Sequence, residues 1–304
     1  MSLLTEDADP LFKQPRAERP AFATGLLLDA QDFTDEQTYH RGRLARALAF
    51  LAGGGTLAGL RVDYVPPATG QVEEIRVQPG LAVDRLGRLV ELLRPACIRL
   101  DVWFNAMRAA QGGAQLTGAA YGNLARFISP RFGTPAPTLP ANGVVADVYL
   151  RFGACPVGLS SSFATGPFDA LNAVSTSRLR DAYELQLVPR TALDDSYSGL
   201  PLPPAAAVLG NPAGSATDRR NALQDAVLSA YGGTGHVGGN GDFGRSAEQP
   251  TGVDPSAVFL ARVLIPVTVA AGSPPVRSAT APLVDNFGRR FLPPAALFAQ
   301  WAGA

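Results

Sequence analysis

Leucine spacing predicts an amphipathic helix near the start of the chain. Leu44, Leu48 and Leu51 recur three to four residues apart, so a helix would place them on one face. Thr34 and Gln37 have the spacing of a capping box, in which each side chain satisfies a free backbone amide at the helix start. A helix is therefore predicted to begin near Thr34, to bury the leucine stripe and to end before a run of three glycines.

After residue 60 the apolar positions alternate with a period of two, which is typical of strands. The alternating segments are 61–65, 74–77, 81–83 and 97–102. Glycines and prolines between them suit tight turns, so the segments are predicted to form a β-meander. Its predicted turn residues are Gly59, Pro79, Gly80, Asp84, Gly87 and Arg88. Asp84 and Arg88 are also interpreted as partners in surface ion pairs.

Later regions predict the main strands of the core and a second long helix. Alternation from 144 to 153 indicates a strand with one buried face, and a second strand follows near 183–187. Residues 258–265 are mainly apolar at both odd and even positions, as in a central strand that is covered on both faces. A helix is predicted from about 218 to 231.

These patterns predict a mainly β protein with a few helices. Its core is expected to be an antiparallel β-sandwich or barrel-like, preceded by an N-terminal arm and the capped helix. Residues 1–56 are predicted to be a docking element, because their first part is rich in prolines and needs a neighbouring surface to become ordered. Residues 57–304 are predicted to be the β-rich domain, with insertions at about 106–141 and 191–256.

Composition narrows the classes of function. The chain has 304 residues with 26 basic and 26 acidic side chains, so no net charge attracts nucleic acid and no nucleic-acid partner is expected. The longest apolar stretch, 258–270, contains Arg262 and Pro266 and is shorter than the roughly 20 residues that span a bilayer. The first ten residues lack a secretion signal, so assembly in the cytoplasm is expected. Cys97 and Cys155 match no zinc or redox spacing.

Few residues have the pattern of a catalytic or metal site. The two histidines are His40, in the first predicted helix, and His236, in a glycine-rich loop, and no nucleophile elbow is present. Glu36 and His40 could bind a metal together with Asp29 or Asp32, but a solvated helix face is the favoured interpretation. No catalytic residue, metal or cofactor is predicted, and the chain is not expected to be an enzyme.

Two alternative functions stay open. One is a glycan- or surface-binding β module whose loops at 106–141 and 191–256 form the recognition surface, and the other is a hydrolase that uses carboxylates alone. Asp194 and Asp195 are interpreted as turn residues instead of paired catalytic groups. The stretch 232–243 contains the letters of a dinucleotide fingerprint, but it follows a helix instead of a strand and is interpreted as a flexible hairpin or assembly loop.

In the first third of the chain, residues 25–33 read GLLLDAQDF, residues 36–39 read EQTY and residues 57–62 read LAGLRV. These patterns resemble a module of phage tails and phage-tail-like contractile injection systems. Residues 77–88, VQPGLAVDRLGR, are similar to a β-turn-β element of tail-fibre and baseplate proteins.

The resemblance implies a structural subunit near the baseplate or fibre attachment of such a particle, that is, a component of a virion or an injection particle. Its expected partners are further copies of itself, as a trimer or a hexameric ring, and neighbouring tail or baseplate proteins. The residues predicted to form the interface are Phe22, Leu26, Leu27, Asp32, Glu36, Gln37, Tyr39 and Arg43.

Overall fold

Antiparallel strands form the body of the protein. The structure is a computed structural model and describes residues 11, 18–161, 174–194, 197–201, 215–229, 245–246, 248–294 and 296–297. Three antiparallel sheets and a few helices make up these residues, and no barrel closes among them. The prediction of a mainly β protein with a few helices is confirmed.

The elements are numbered in chain order. The strands are β1 Gly55–Gly59, β2 Val62–Val65, β3 Glu74–Val77, β4 Gly80–Val83, β5 Leu89–Leu92, β6 Ala96–Arg99, β7 Ala120–Gly122, β8 Asn142–Ser161, β9 Val174–Pro189, β10 Val258–Thr268, β11 Val276–Arg277 and β12 Leu283–Asp285. The helices are α1 Ala30–Leu51, α2 Leu100–Ala109, α3 Ala114–Gly118 and α4 Ala216–Ser229, with 3-10 turns at Ala110–Gly113 and Leu124–Phe127.

The predicted meander is instead one long kinked hairpin with two added strands. β1 pairs with β4 and β2 pairs with β3, so the continuous run β1–β2 lies antiparallel to the run β3–β4. The kink falls at Gly59, which is paired with Gly80, and Leu60 donates its amide to Pro79 at 3.1 Å across it. β5 extends one half to the sheet β1-β4-β5, and β6 extends the other to β2-β3-β6. The simple meander was therefore a wrong prediction, because Pro79-Gly80 bends the chain and does not reverse it.

The largest sheet contains the three longest strands. Its order is β11-β10-β8-β7, with β9 paired to β8 and β12 paired to β10. β10 is buried along almost its whole length, which confirms the prediction of a central strand covered on both faces. β8 was predicted to bury one face, but its residues 143–150 are all buried. Loops around Phe127, Leu193 and Val253 cover the second face, and the polar residues Asp147 and Tyr149 on that face made it resemble a solvated one.

The main core lies between the long sheet and the two small sheets. The buried side chains of this core include Leu60, Val62, Ile75, Val77, Val90, Leu92, Leu100, Phe104, Val144, Val148, Leu150, Leu260, Val263 and Ile265. The predicted insertion 106–141 contributes Leu116 and Ala119 to the same core and Leu124 and Phe127 to the second cluster. Much of that segment is thus part of the packed body, and less of it remains as an exposed loop.

Helix boundaries differ from the prediction at two places. α1 begins at Ala30, four residues before Thr34, because Asp29 caps it, and the hydroxyl of Thr34 donates to the Ala30 carbonyl inside the helix at 2.9 Å. The strand predicted over 97–102 ends at Arg99, and α2 begins at the next residue, Leu100. The helix predicted near 218 is confirmed as α4, and Ser215 caps it by accepting the Asp218 amide.

Some predictions fall on residues outside the described part of the chain. These are the first ten residues of the arm, the glycine-rich stretch 232–243 with His236, Asp195 and the end of the chain after 297. No helix in the described ranges is long and apolar enough to cross a membrane. The predicted division of the chain at residue 56 stays a prediction, although β1 crosses that point.

Candidate functional site

The residues before α1 expose a series of large apolar side chains. Leu27 has 94% of its surface accessible, and Phe22, Leu26 and Leu28 are also exposed. Residues 18–29 form no regular secondary structure. They contain a turn at Gly25, in which the Leu26 amide donates to the Ala23 carbonyl. The structure therefore exposes three predicted interface residues, Phe22, Leu26 and Leu27.

Asp32 has a structural task at the start of α1. Asp29 Oδ1 accepts hydrogen bonds from the amides of Gln31 at 2.8 Å and Asp32 at 3.1 Å, and Asp32 Oδ2 accepts from the Asp29 amide at 2.9 Å. This reciprocal capping box satisfies amides that the first turn of a helix leaves without partners. Both carboxylates are thereby engaged in capping. No group of metal-binding side chains occurs among the described residues.

The other predicted interface residues form a small cluster on one side of α1. Glu36 and His40 lie 2.7 Å apart between Oε1 and Nε2, with His40 largely exposed. The guanidinium of Arg43 lies 5.1 Å from the centre of the Tyr39 ring, and Arg19 approaches the same ring at 5.9 Å. Gln37 is exposed beside them. Glu36 thus contacts His40, and Arg43 contacts Tyr39. Gln37, His40 and Arg43 remain accessible.

α1 rests on the body through its small residues instead of its leucines. Gly42, Ala45 and Ala49 are buried, whereas Leu44 and Leu51 are exposed. The predicted burial of the leucine stripe is therefore wrong for two of its three members. Small side chains allow a close approach, and Gly87 in the turn between β4 and β5 packs directly against the backbone of Ala45.

The predicted turn residues include the points of closest approach between segments. Gly87 has φ +83°, and a side chain there would collide with the Ala45 carbonyl oxygen. At the kink of the long hairpin, a side chain on Gly59 would collide with Pro79, and one on Gly80 would collide with Ala58. Glycine is required at these positions because the neighbouring backbone occupies the space of a Cβ.

Asp84 and Arg88 form a buried ion pair, so their interpretation as a surface pair is wrong. Asp84 Oδ2 accepts from Arg88 Nε at 2.7 Å, and Oδ1 accepts from the amides of Leu86 and Arg88, each at 2.9 Å. Burial raises the pKa of the Asp84 carboxyl, and Arg88 and the two amides oppose the rise. Three donors that point at its two oxygens favour the ionised carboxylate. The turn is thus held by a charge pair inside the protein.

The same pair connects the turn to the long sheet. Arg88 Nη2 donates to Ser256 Oγ at 2.8 Å, and Ser256 Oγ donates to Asp254 Oδ1 at 2.6 Å. Asp254 also lies 3.9 Å from Arg151 on β8. A chain of polar contacts therefore runs from the turn that supports α1 to the central strands.

A second buried network was missed by the sequence analysis. Arg262 on β10 donates to both oxygens of Asp147 on β8, from Nε at 2.8 Å and from Nη2 at 2.9 Å. Arg190 lies 3.3 Å from the same carboxylate and donates to the Tyr149 hydroxyl at 2.7 Å. Burial raises the pKa of Tyr149 well above its usual value. The available signal was Arg262 itself, a cation within a strand predicted to be covered on both faces, which requires a buried partner.

This second network fastens loops to the sheet. Arg262 Nη1 donates to the carbonyls of Phe127 at 2.8 Å and Ser198 at 2.5 Å, and Tyr149 donates to the carbonyl of Glu248 at 2.8 Å. All of the side chains in it are enclosed. It therefore explains how loops cover the second face of β8, and it offers no accessible group for a reaction.

One small pocket lies between the start of β1 and the loop before β10. Its cavity volume is about 30 Å³, and its polar side chains include Arg85, Glu248 and Arg290. Among the described residues that line the pocket, Glu248 provides the one carboxylate. It lies 3.0 Å from the guanidinium of Arg290. A hydrolase of the kind left open above needs two carboxylates that face each other across the substrate, an arrangement different from this one.

No family model matches this chain, and no curated protein matches it.

Proposed function

We propose that this protein is a structural subunit of a phage tail or of a phage-tail-like contractile injection particle. It acts through contacts with neighbouring subunits near the baseplate or fibre attachment, and the segment 18–51 is its main docking element. The proposal combines the resemblance of residues 22 to about 102 to such modules with the exposed surface of the same region.

The observation that carries the proposal is the exposure of Phe22, Leu26 and Leu27. Burying a large apolar side chain is worth about 1.5–3 kcal/mol, so a partner that covers three of them gains several kcal/mol in one contact. The three side chains lie within residues 22–27, and exposed apolar patches mark interaction sites in soluble proteins. Because the segment has no regular secondary structure of its own, a partner surface would also supply its ordering.

A second exposed element is compatible with the same role. β8 and β9 continue past the body as a two-stranded ribbon, in which residues 156–161 and 176–181 are almost entirely exposed. Leu159 and Leu179 are exposed on it. A two-stranded ribbon is at best marginally stable alone, so contact with a neighbouring subunit would stabilise it.

The proposal predicts that charges in the segment before α1 prevent incorporation into particles. The test is the double variant Phe22→Asp, Leu27→Asp, expressed in the native producing strain. We expect the fraction of the chain that sediments with particles to fall at least tenfold, because two carboxylates would have to be buried against the partner. Both side chains are exposed, so circular dichroism and the melting temperature should stay as in the wild type.

The matched control is Leu93→Asp, at an exposed leucine with 76% of its surface accessible on the turn after β5. This variant should incorporate normally. Incorporation of the double variant at the wild-type level would contradict the role of the segment, and absence of the wild-type chain from any particle would contradict the proposed function as a whole.

A further inference from the structure

The side of α1 that points away from the body carries large apolar side chains. Gly42, Ala45 and Ala49 mark the inner side, against the turn that contains Gly87. Phe33, Leu44 and Leu51 have 54%, 59% and 87% of their surfaces accessible, and helical geometry puts them on the opposite side. The described residues therefore leave an exposed stripe along this helix, with large apolar side chains at Phe33, Leu44 and Leu51.

The stripe repeats by four and three residues in turn. Its six positions, all exposed, are Phe33, Gln37, His40, Leu44, Ala47 and Leu51. A repeat of this kind is the seam by which one α-helix packs along another, with the six residues at the a and d positions of a heptad. The spacing thus fits a second helix that packs along the stripe, with its axis aligned with that of α1 in either direction.

Charges beside the seam distinguish the two directions in which a second copy of α1 could lie. Glu36 flanks the seam on one side and Arg41 flanks it on the other side, five residues later. In a parallel pair, Glu36 of one copy lies beside Arg41 of the second copy, and the reciprocal contact forms by symmetry. In an antiparallel pair with full overlap, Arg41 would face Arg41 and Arg43 would face Arg43. Charge complementarity therefore favours the parallel arrangement.

We infer that α1 associates in parallel with α1 of a second copy of this chain through Phe33, Leu44 and Leu51. The inference rests on the proposed function in one respect, since it identifies one of the neighbouring subunits as the chain itself. The polar residues Gln37 and His40 lie in the seam between Phe33 and Leu44. Polar groups at such positions fix the register of paired helices and lower their affinity.

The mass of the purified full-length chain in solution tests the association. Light scattering after size exclusion should give at least twice the single-chain mass of 31.7 kDa for the wild type. The variant Leu44→Asp, Leu51→Asp should give the single-chain mass, because it places charges within the seam. Leu93→Asp is again the control and should keep the wild-type mass. A wild type that stays a single chain at every concentration reached would overturn the inference.

Replacement of a polar seam residue tests whether this side of α1 is an interface or only an exposed helix side. Gln37→Leu should lower the dissociation constant of the association by about tenfold, because an apolar residue replaces a polar one inside the seam. An unchanged or higher dissociation constant would contradict the placement of Gln37 in the interface.

Cysteine cross-linking tests the direction of the helices. In a Cys97→Ser background, Ala47→Cys should form a disulfide-linked dimer on oxidation, since Ala47 of two copies share one layer of a parallel seam. In an antiparallel seam Ala47 faces Gln37, so cross-linking only between Ala47→Cys and Gln37→Cys chains would overturn the parallel arrangement. Leu93→Cys, an exposed position away from α1, should not cross-link.

The two proposals fail in different ways. A monomeric chain that is still incorporated into particles would overturn the association through α1 and leave the proposed function standing. A chain that associates through α1 but is found in no particle would overturn the proposed function and leave the association standing.

Discussion

Individual charged residues fasten the turns and loops of this protein from inside. Asp84, Arg88, Asp147 and Arg262 are all enclosed, and each charged group has a partner of opposite sign within 3 Å. Buried pairs of this kind add little net stability compared with apolar residues, but removal of one partner leaves an uncompensated charge inside the protein. Asp84 has the further effect of shaping the turn that supports α1, because it accepts two backbone amides as well as Arg88.

Asp84→Asn should destabilise the protein by about 3 kcal/mol, because it leaves the Arg88 guanidinium buried without its counter-charge. Asp63→Asn is the matched control, since the Arg61–Asp63 pair at 2.9 Å is exposed and is worth about 0–1 kcal/mol. Urea unfolding measures both free energies. Equal free energies of unfolding for the two variants would show that the buried pair has no special role.

The sequence indicated which residues occupy the turns but not how deeply they lie. Asp84, Gly87 and Arg88 were predicted as turn residues and are so, yet a charged pair four residues apart also fits an exposed turn. Arg262 and Asp147 lie on different strands far apart in sequence, so only the register of β8 against β10 brings them together. Long-range pairing of this kind leaves no local pattern in a single sequence.

At the scale of elements, contacts of small residues decide how α1 is placed. The spacing of its leucines predicted that they form the buried side of this helix, because apolar spacing normally marks the inward side. α1 instead has two apolar sides, and the one made of Gly42, Ala45 and Ala49 packs on the body. Small residues give a weak periodic signal although they permit the closest packing. The long hairpin was misjudged for a similar reason, because Pro79-Gly80 suits a reversing turn and a kink equally well.

Gly87→Ala should loosen α1 from the body. The position has φ +83° and no room for a Cβ beside Ala45, so both backbone strain and a steric clash oppose the change. Gly70→Ala is the matched control, because Gly70 has φ +79° with nothing within 4 Å of an added Cβ, and it should cost about 1 kcal/mol from strain alone.

Urea unfolding should show Gly87→Ala to be at least twice as destabilising as Gly70→Ala. Hydrogen exchange should also become faster in α1 for Gly87→Ala only, because the clash is with that helix. Equal effects of the two substitutions on stability and on exchange would contradict the contact between Gly87 and Ala45.

At the scale of the whole molecule, the described residues combine a well-packed β body with apolar surfaces that they leave exposed. The fold class, the central strand β10 and the helix α4 were predictable from the sequence, because each has a strong local pattern. Phe22, Leu26 and Leu27 are exposed, as a docking segment requires, and their role in an interface stays a prediction. The outward stripe of α1 could not be predicted, since it depends on which side of the helix meets the body.

Electron microscopy of the tagged protein isolated from its native source tests the central claim, that other subunits cover the surface from Phe22 to Leu51. We expect tail-like or baseplate-like assemblies in which a label on the chain recurs at symmetric positions. We also expect that density from neighbouring subunits lies over α1 and the segment before it. Isolated single chains from that source, with this surface open to solvent, would contradict the account.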